Sequence, residues 1–279
     1  FAFGAGVIML RRVSTPVRAT AFALLAGLFT VSTTTPSEAQ NLNGPISWTG
    51  IYMGLHGSYM WADQEHPGLY PYVAPPAPCS NAFGPGKHCG PPRHEPSGAM
   101  LGGQIGAQYH FPGSVVVGVE VDYARGNLSE TARDGNYIVQ TTDIEWTGTL
   151  RGRLGLPMGN FMPFVTAGAI WLGASYTQSC PDPVSVAVAS SHCGTRPADP
   201  LGPFGQYQLT DSQTHFGFVY GGGAEWRMSR NFSLKAEALW YTVGDEVYKL
   251  GKTATGREIG PKPIEYDGMM IRIGGNYHF

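Results

Sequence analysis

Eight segments of this chain alternate apolar and polar residues with a period of two. The links joining them are short and long in strict alternation, and aromatic residues collect at the segment ends. Together these observations predict an all-β fold: eight antiparallel strands closed into an up-and-down transmembrane barrel with long extracellular loops.

Composition agrees with this and removes other classes. The chain has 279 residues, with 18 Lys+Arg against 20 Asp+Glu, a net charge of −2. A nucleic-acid partner is not expected, because such a protein carries a strong basic excess. Charged residues are 14% of the chain, well under the usual share of about 25%. At 42% hydrophobic the chain can build a core. Past the N-terminal segment no apolar run reaches the roughly 18 residues that a membrane helix needs.

Residues 1–39 read as an export address. Met9 is the expected start. It is followed by Leu10-Arg11-Arg12 and Arg18, an apolar run over 19–31, and Pro36-Ser37-Glu38-Ala39. These are the basic, apolar and small-residue parts of a secretory signal, with cleavage expected after Ala39. The barrel domain is then 40–279. Export also places the cysteines in an oxidising compartment.

The strand segments fall at about 48–61, 98–111, 114–125, 142–156, 161–177, 211–227, 230–247 and 265–279. Each exceeds the 9–11 or so residues of a tilted membrane strand. In the third, Val115, Val117, Val119, Val121 and Tyr123 oppose Glu120 and Asp122. In the fourth, Ile144, Trp146, Leu150 and Leu154 oppose Glu145, Arg151 and Arg153. The sixth sets Phe216, Phe218 and Tyr220 against His215, Glu225 and Arg227. The seventh sets Leu234, Ala236 and Trp240 against Lys235 and Glu237. The eighth sets Ile271, Ile273 and Tyr277 against Arg272, Asn276 and His278. The fifth segment has no clear parity.

The links at 112–113, 157–160 and 228–229 are tight turns, whereas 62–97, 126–141, 178–210 and 248–264 are long. Greek-key sandwiches do not alternate in this way; barrels with short periplasmic turns and long external loops do. Trp48, Tyr109, Phe111, Trp226, Phe232, Tyr277 and Phe279 fall at the short-turn end. Trp61, Tyr123, Trp146, Tyr176, Phe216 and Trp240 fall at the long-loop end. Two such rings are the expected interfacial girdles.

The inner face is expected to carry Arg151, Arg153, Arg227, Lys235 and Arg272 against Glu120, Asp122, Glu145, Glu225 and Glu237. An eight-stranded barrel is only wide enough to be filled by side chains, and buried charges must be paired. The balance points to a closed ionic interior. Glycines of inward parity, at 102, 106, 118, 155, 217, 221, 223 and 274, are expected to make room for long Arg and Glu side chains.

The opening Ser47-Trp48-Thr49-Gly50-Ile51-Tyr52-Met53-Gly54 resembles the small eight-stranded outer-membrane barrels of Gram-negative bacteria, the outer membrane immunogenic protein group. So do residues 118–123 (GVEVDY), 149–155 (TLRGRLG) and the ending Tyr277-His278-Phe279. The resemblance covers nearly all of 47–279, and the strands better than the loops. It implies an integral outer-membrane protein surrounded by lipid, often a surface antigen, with no catalytic residues. It also implies that Phe279 is read by the barrel-insertion machinery. Some members of the group are described as haemin binders, others as structural or adhesion-related.

The remaining constellations lie mostly in loops. Cys79 and Cys89 fall in the first long link, Cys180 and Cys193 in the third. Local disulfides 79–89 and 180–193 are the leading expectation, with pairing between loops or a metal site using Cys79, His88 and Cys89 as alternatives. Histidine can ligate haem iron, so His88, His94 and His192 are candidate haemin ligands, although no bound cofactor is expected. His56 and Ser58 are the nearest approach to a nucleophile–base pair, but no acidic orienter accompanies them. They read as polar filler, as do His110, His215 and His278. The expected role is a structural, surface-interacting barrel with exposed loops that meet a host or surface ligand. A haemin or small-molecule binder is the alternative, and a narrow pore or membrane-face enzyme ranks last.

Overall fold

Alternation leaves each segment one apolar and one polar face, and pairing all of them edge to edge satisfies every backbone group. In lipid an open sheet edge costs several kcal/mol per unpaired group, so closure is the stable outcome. The computed structural model describes residues 47–65, 95–113, 115–134, 138–180, 206–256 and 258–279. The expected export address and its cleavage point lie outside these residues, as do Cys79, Cys89, Cys193, His88, His94 and His192.

The strands are β1 (Gly50–Glu65), β2 (Ser97–Phe111), β3 (Val115–Asp134), β4 (Ile138–Gly155), β5 (Phe161–Cys180), β6 (Tyr207–Arg227), β7 (Phe232–Tyr248), β8 (Gly251–Lys252), β9 (Glu258–Ile259) and β10 (Lys262–His278). Eight of them form a closed ring in the order β1-β10-β7-β6-β5-β4-β3-β2. Every neighbouring pair is antiparallel, and the ring shuts where β1 meets β10, from Tyr52↔His278 to Glu65↔Glu265. Two-residue β8 and β9 pair separately in the last link. The turns on one side are tight. Gly159, at φ 64°, occupies a left-handed position there that favours glycine.

Two expectations about the links and faces are corrected. The second long link is mostly strand, because β3 and β4 stay paired as far as Asp134↔Ile138. In β4 the register slips between Ile144 and Trp146 against β5, leaving Glu145 as an extra residue. Such a bulge inverts the parity beyond it. Ile144 therefore points inward and is fully buried, and Glu145 is exposed on the outside. Glu145 is not a lumen charge.

The outer wall is apolar over the middle of the barrel, with Val119, Leu150, Val165, Phe218 and Ile273 exposed. Aromatic contacts mark its two borders: Tyr123–Trp146, Trp171–Phe216 and Tyr220–Trp240 above, Phe232–Tyr277 and Tyr109–Phe111 below. Two residues expected in the girdles are inside instead. Trp48 is buried with Val116 and Met162 at the turn end. Tyr176 is buried in the upper core.

That upper core explains the unreadable parity of the fifth segment. Ile170 and Leu172 of β5 face inward, where they pack with Met60, Leu128, Ile144 and Met270. The inner face is as apolar there as the outer one. Leu250 and Ile259, flanking the small β8–β9 ladder, are buried in the same cluster.

Candidate functional site: an ionic layer inside the barrel

Below the apolar layer the inward positions of β3, β4, β7 and β10 converge on one cluster. Register sets this up: Glu120 lies opposite Arg151, and Arg272 opposite Glu237. Arg151 is 1% exposed and holds three carboxylates at once. Its Nη2 lies 2.5 Å from Glu120 Oε1 and 3.0 Å from Asp122 Oδ2, and its Nη1 lies 3.0 Å from Glu237 Oε2. Lys235 Nζ donates to Glu120 Oε1 and to Gln104 Oε1, each at 2.8 Å. Arg272 Nη1 sits 2.8 Å from Asp122 Oδ2. Thr149 Oγ1 donates to that same Asp122 oxygen.

A second cluster lies toward the turn end. Arg153 pairs with Glu225 and packs its guanidinium 3.8 Å from the Phe164 ring centroid. Glu225 Oε1 also accepts from Ser233 Oγ at 2.5 Å and Asn276 Nδ2 at 3.0 Å. Arg227 Nη2 donates to His278 Nδ1 at 3.0 Å. Guanidinium cannot accept, so His278 Nδ1 is the acceptor, and the proton sits on Nε2, facing Glu225 Oε1 at 3.2 Å. Arg227 is otherwise held by the carbonyls of Arg230 and Ser47, with the Trp48 ring 4.9 Å away. Tyr52 joins the two clusters: its hydroxyl donates to Glu120 Oε2 at 2.7 Å and accepts from Arg153 Nη1 at 3.4 Å.

Nine of the ten charges named from sequence thus face the interior, and Glu145 does not. Arg151, Arg153, Lys235 and Arg272 are paired with Glu120, Asp122, Glu225 and Glu237, four cations with four anions. Arg227 stands apart at the mouth on backbone carbonyls. Each member is at most 4% exposed. Buried charges so placed are stable only when paired and hydrogen-bonded. Arg151, Arg153 and Lys235 are both, whereas Arg272 is paired with Asp122 and Glu237 but its guanidinium has no hydrogen-bond partner among the described residues.

Tyr52, Gln104 and Ser233 belong to this network and were not singled out in the sequence. The signal for Tyr52 was a glycine. Gly106 lies opposite it, and a Cβ there would meet the Tyr52 ring at 2.4 Å. Gly102 and Gly274 likewise flank His56. The inward glycines at these places make room for an aromatic ring and an imidazole rather than for Arg and Glu, although Gly223 does lie against Glu237.

His56 and Ser58 are 3% and 8% exposed and point into the barrel, with no partner for either His56 ring nitrogen among the described residues. His215 donates from Nδ1 to the Gly244 carbonyl and accepts from the Tyr248 hydroxyl. His110 is at the rim, where its backbone amide donates to Thr49 Oγ1. Cys180 is disulfide-bonded, to a cysteine outside the described residues.

A ring of eight strands, apolar outside and ionic inside, between two aromatic borders, defines an integral outer-membrane barrel protein. The chain matches the family described as outer membrane protein beta-barrel domain over residues 21–279, and it belongs to that family. It is similar to the 31 kDa outer-membrane immunogenic protein of Brucella melitensis, at 23% identity over 84% of this chain and 85% of that protein. It is also similar to the 22 kDa outer membrane protein of Rhizobium leguminosarum bv. viciae, at 22% identity over 82% of this chain and 76% of that one. Among solved structures it matches OprG from Pseudomonas aeruginosa, at 14% identity and a TM-score of 0.48, covering 84% of this chain and 98% of that one.

Proposed function

We propose that the protein is a sealed outer-membrane anchor that displays surface loops, acting by contact rather than by transport or catalysis. The exported form on this reading is 40–279. The observation that carries it is the four-by-four ion network of the interior, capped by an apolar layer into which Leu250 and Ile259 are folded. A lumen filled in this way supports a scaffold. A selective pore needs an unfilled path lined by one sign of charge. His56 and Ser58 fit the same reading, since their enclosure keeps them from any substrate at the membrane face. Haemin capture through His88, His94 and His192 rests on residue type alone and is the weaker reading.

Conductance of the purified, refolded protein in planar bilayers tests the proposal. The expected record shows no steady open channel. A stable single-channel current would overturn it.

A further inference from the structure

Above the aromatic border the wall parts into two sheets: one of β3–β6, and one of β1, β10 and β7, which stay paired as far as Glu65↔Glu265 and Lys262↔Tyr248. Pairing of β2 with β3 ends at Met100↔Gly126, and that of β6 with β7 ends at Gly217↔Val243. The β3–β4, β4–β5 and β5–β6 pairs continue upward to Asp134↔Ile138, Val139↔Ser179 and Cys180↔Tyr207. A four-stranded sheet therefore stands above the aromatic border. Its inward side carries buried Leu128, Ile144 and Tyr176 and is packed into the upper core.

Its outward side is lined by hydroxyls in cross-strand rows. Thr131 lies opposite Thr141, Thr141 opposite Thr177, and Thr177 opposite Thr210. One row below, Ser129, the carboxylate of Asp143, Ser175 (only 8% exposed) and Ser212 are aligned in the same way. Thr131 and Thr141 hydroxyls are 3.0 Å apart, Thr177 and Thr210 hydroxyls 2.8 Å. In each pair one hydroxyl donates to the other, so one hydrogen and several lone pairs are left unused by the pair. Neighbouring strands repeat every 4.8 Å or so, so the threonine row spaces four hydroxyls that both donate and accept across the face. Sugar hydroxyls are the ligand chemistry that matches it.

Position selects the source of the sugar. On these four strands the order upward is lipid-facing apolar residues, then Tyr123, Trp171 and Phe216, then Trp146 with exposed Arg125 opposite it, then the hydroxyl rows. Ser175 and Ser212 are each four residues beyond the aromatic on their strand, about 13 Å along it at the usual rise. A glycolipid presents the same order outward: acyl chain, phosphorylated head, sugars.

We propose that the outward hydroxyl rows of the β3–β6 sheet bind the saccharide head of the outer-leaflet glycolipid surrounding the barrel. The proposal rests on the outer-membrane location and not on the sealed-anchor reading, so either can fail alone.

The test uses the full exported chain, folded in detergent and titrated with lipopolysaccharide carrying its core sugars or with lipid A lacking them. The folded protein prefers the sugar-bearing form by about tenfold, the worth of one or two hydrogen bonds. Thr141→Val with Thr177→Val keeps side-chain shape and removes two hydroxyls. It abolishes the preference and leaves lipid A affinity unchanged. Equal affinity of the parent protein for both lipids, or a preference that survives in the variant, overturns the proposal. The parent comparison needs no variant, and Thr131→Val with Thr210→Val substitutes at the exposed ends of the row if the central pair misfolds. Binding of the soluble core oligosaccharide as tight as that of the whole lipopolysaccharide would assign the face to a foreign glycan instead.

Discussion

Arg151 carries more of the interior than any other single side chain, and the reason is arithmetic of charge. It neutralises parts of Glu120, Asp122 and Glu237 together. Without it three buried carboxylates would share Lys235 and Arg272. Removing one partner from a buried pair costs about 3–5 kcal/mol, mostly because the survivor is left uncompensated. Arg151→Met is therefore expected to lower unfolding stability by about that amount in urea titrations of the detergent-folded protein. Adding Glu237→Gln should return part of the loss. A single-variant effect near zero would mean that water, not Arg151, solvates these carboxylates. Most of these charges were legible as the polar face of alternating segments. Their partners Tyr52 and Gln104 were not, because an inward tyrosine or glutamine has no charge to announce it. For Tyr52 only the facing glycine marked the space it fills.

At the scale of the element, alternation reads well where the two faces differ and fails where they converge. β3, β6, β7 and β10 carry charge against aliphatic or aromatic residues, and their faces were plain in the sequence. β5 was not readable, because Ile170 and Leu172 line an apolar stretch of lumen opposite an apolar outer face. β4 misled for a different reason. One extra residue at Glu145 reverses parity, and local composition contains no sign of it. This makes a sharp prediction. Ile144→Asp places a charge among Leu128, Ala174 and Met60 and should cost more than about 3 kcal/mol, enough to deplete the heat-modifiable folded form on gels. Glu145→Ile should change stability by no more than about 0.5 kcal/mol, as surface substitutions do. Unbroken alternation through β4 would require the opposite ranking.

Across the whole molecule the polar and apolar layers are stacked along the barrel axis, and that stacking decides how the protein responds to its medium. The ion pairs sit between the turn-end plug of Trp48 and Met162 and the upper apolar cluster closed by Leu250 and Ile259. They are at most 4% exposed. Raising salt from about 0.05 to about 0.5 M shortens the Debye length from roughly 14 to roughly 4 Å, but only charges that mobile ions can approach are screened. The urea midpoint is accordingly expected to shift little between those two salt concentrations. The same charges laid on a water-filled channel wall would lose much of their mutual attraction, and the midpoint would fall. A marked salt-dependent fall would therefore contradict the layered interior even if no current flowed through the barrel. It would also locate the leak, since restoring salt independence by enlarging Leu250 or Ile259 would implicate the cap, and by enlarging Met162 the plug.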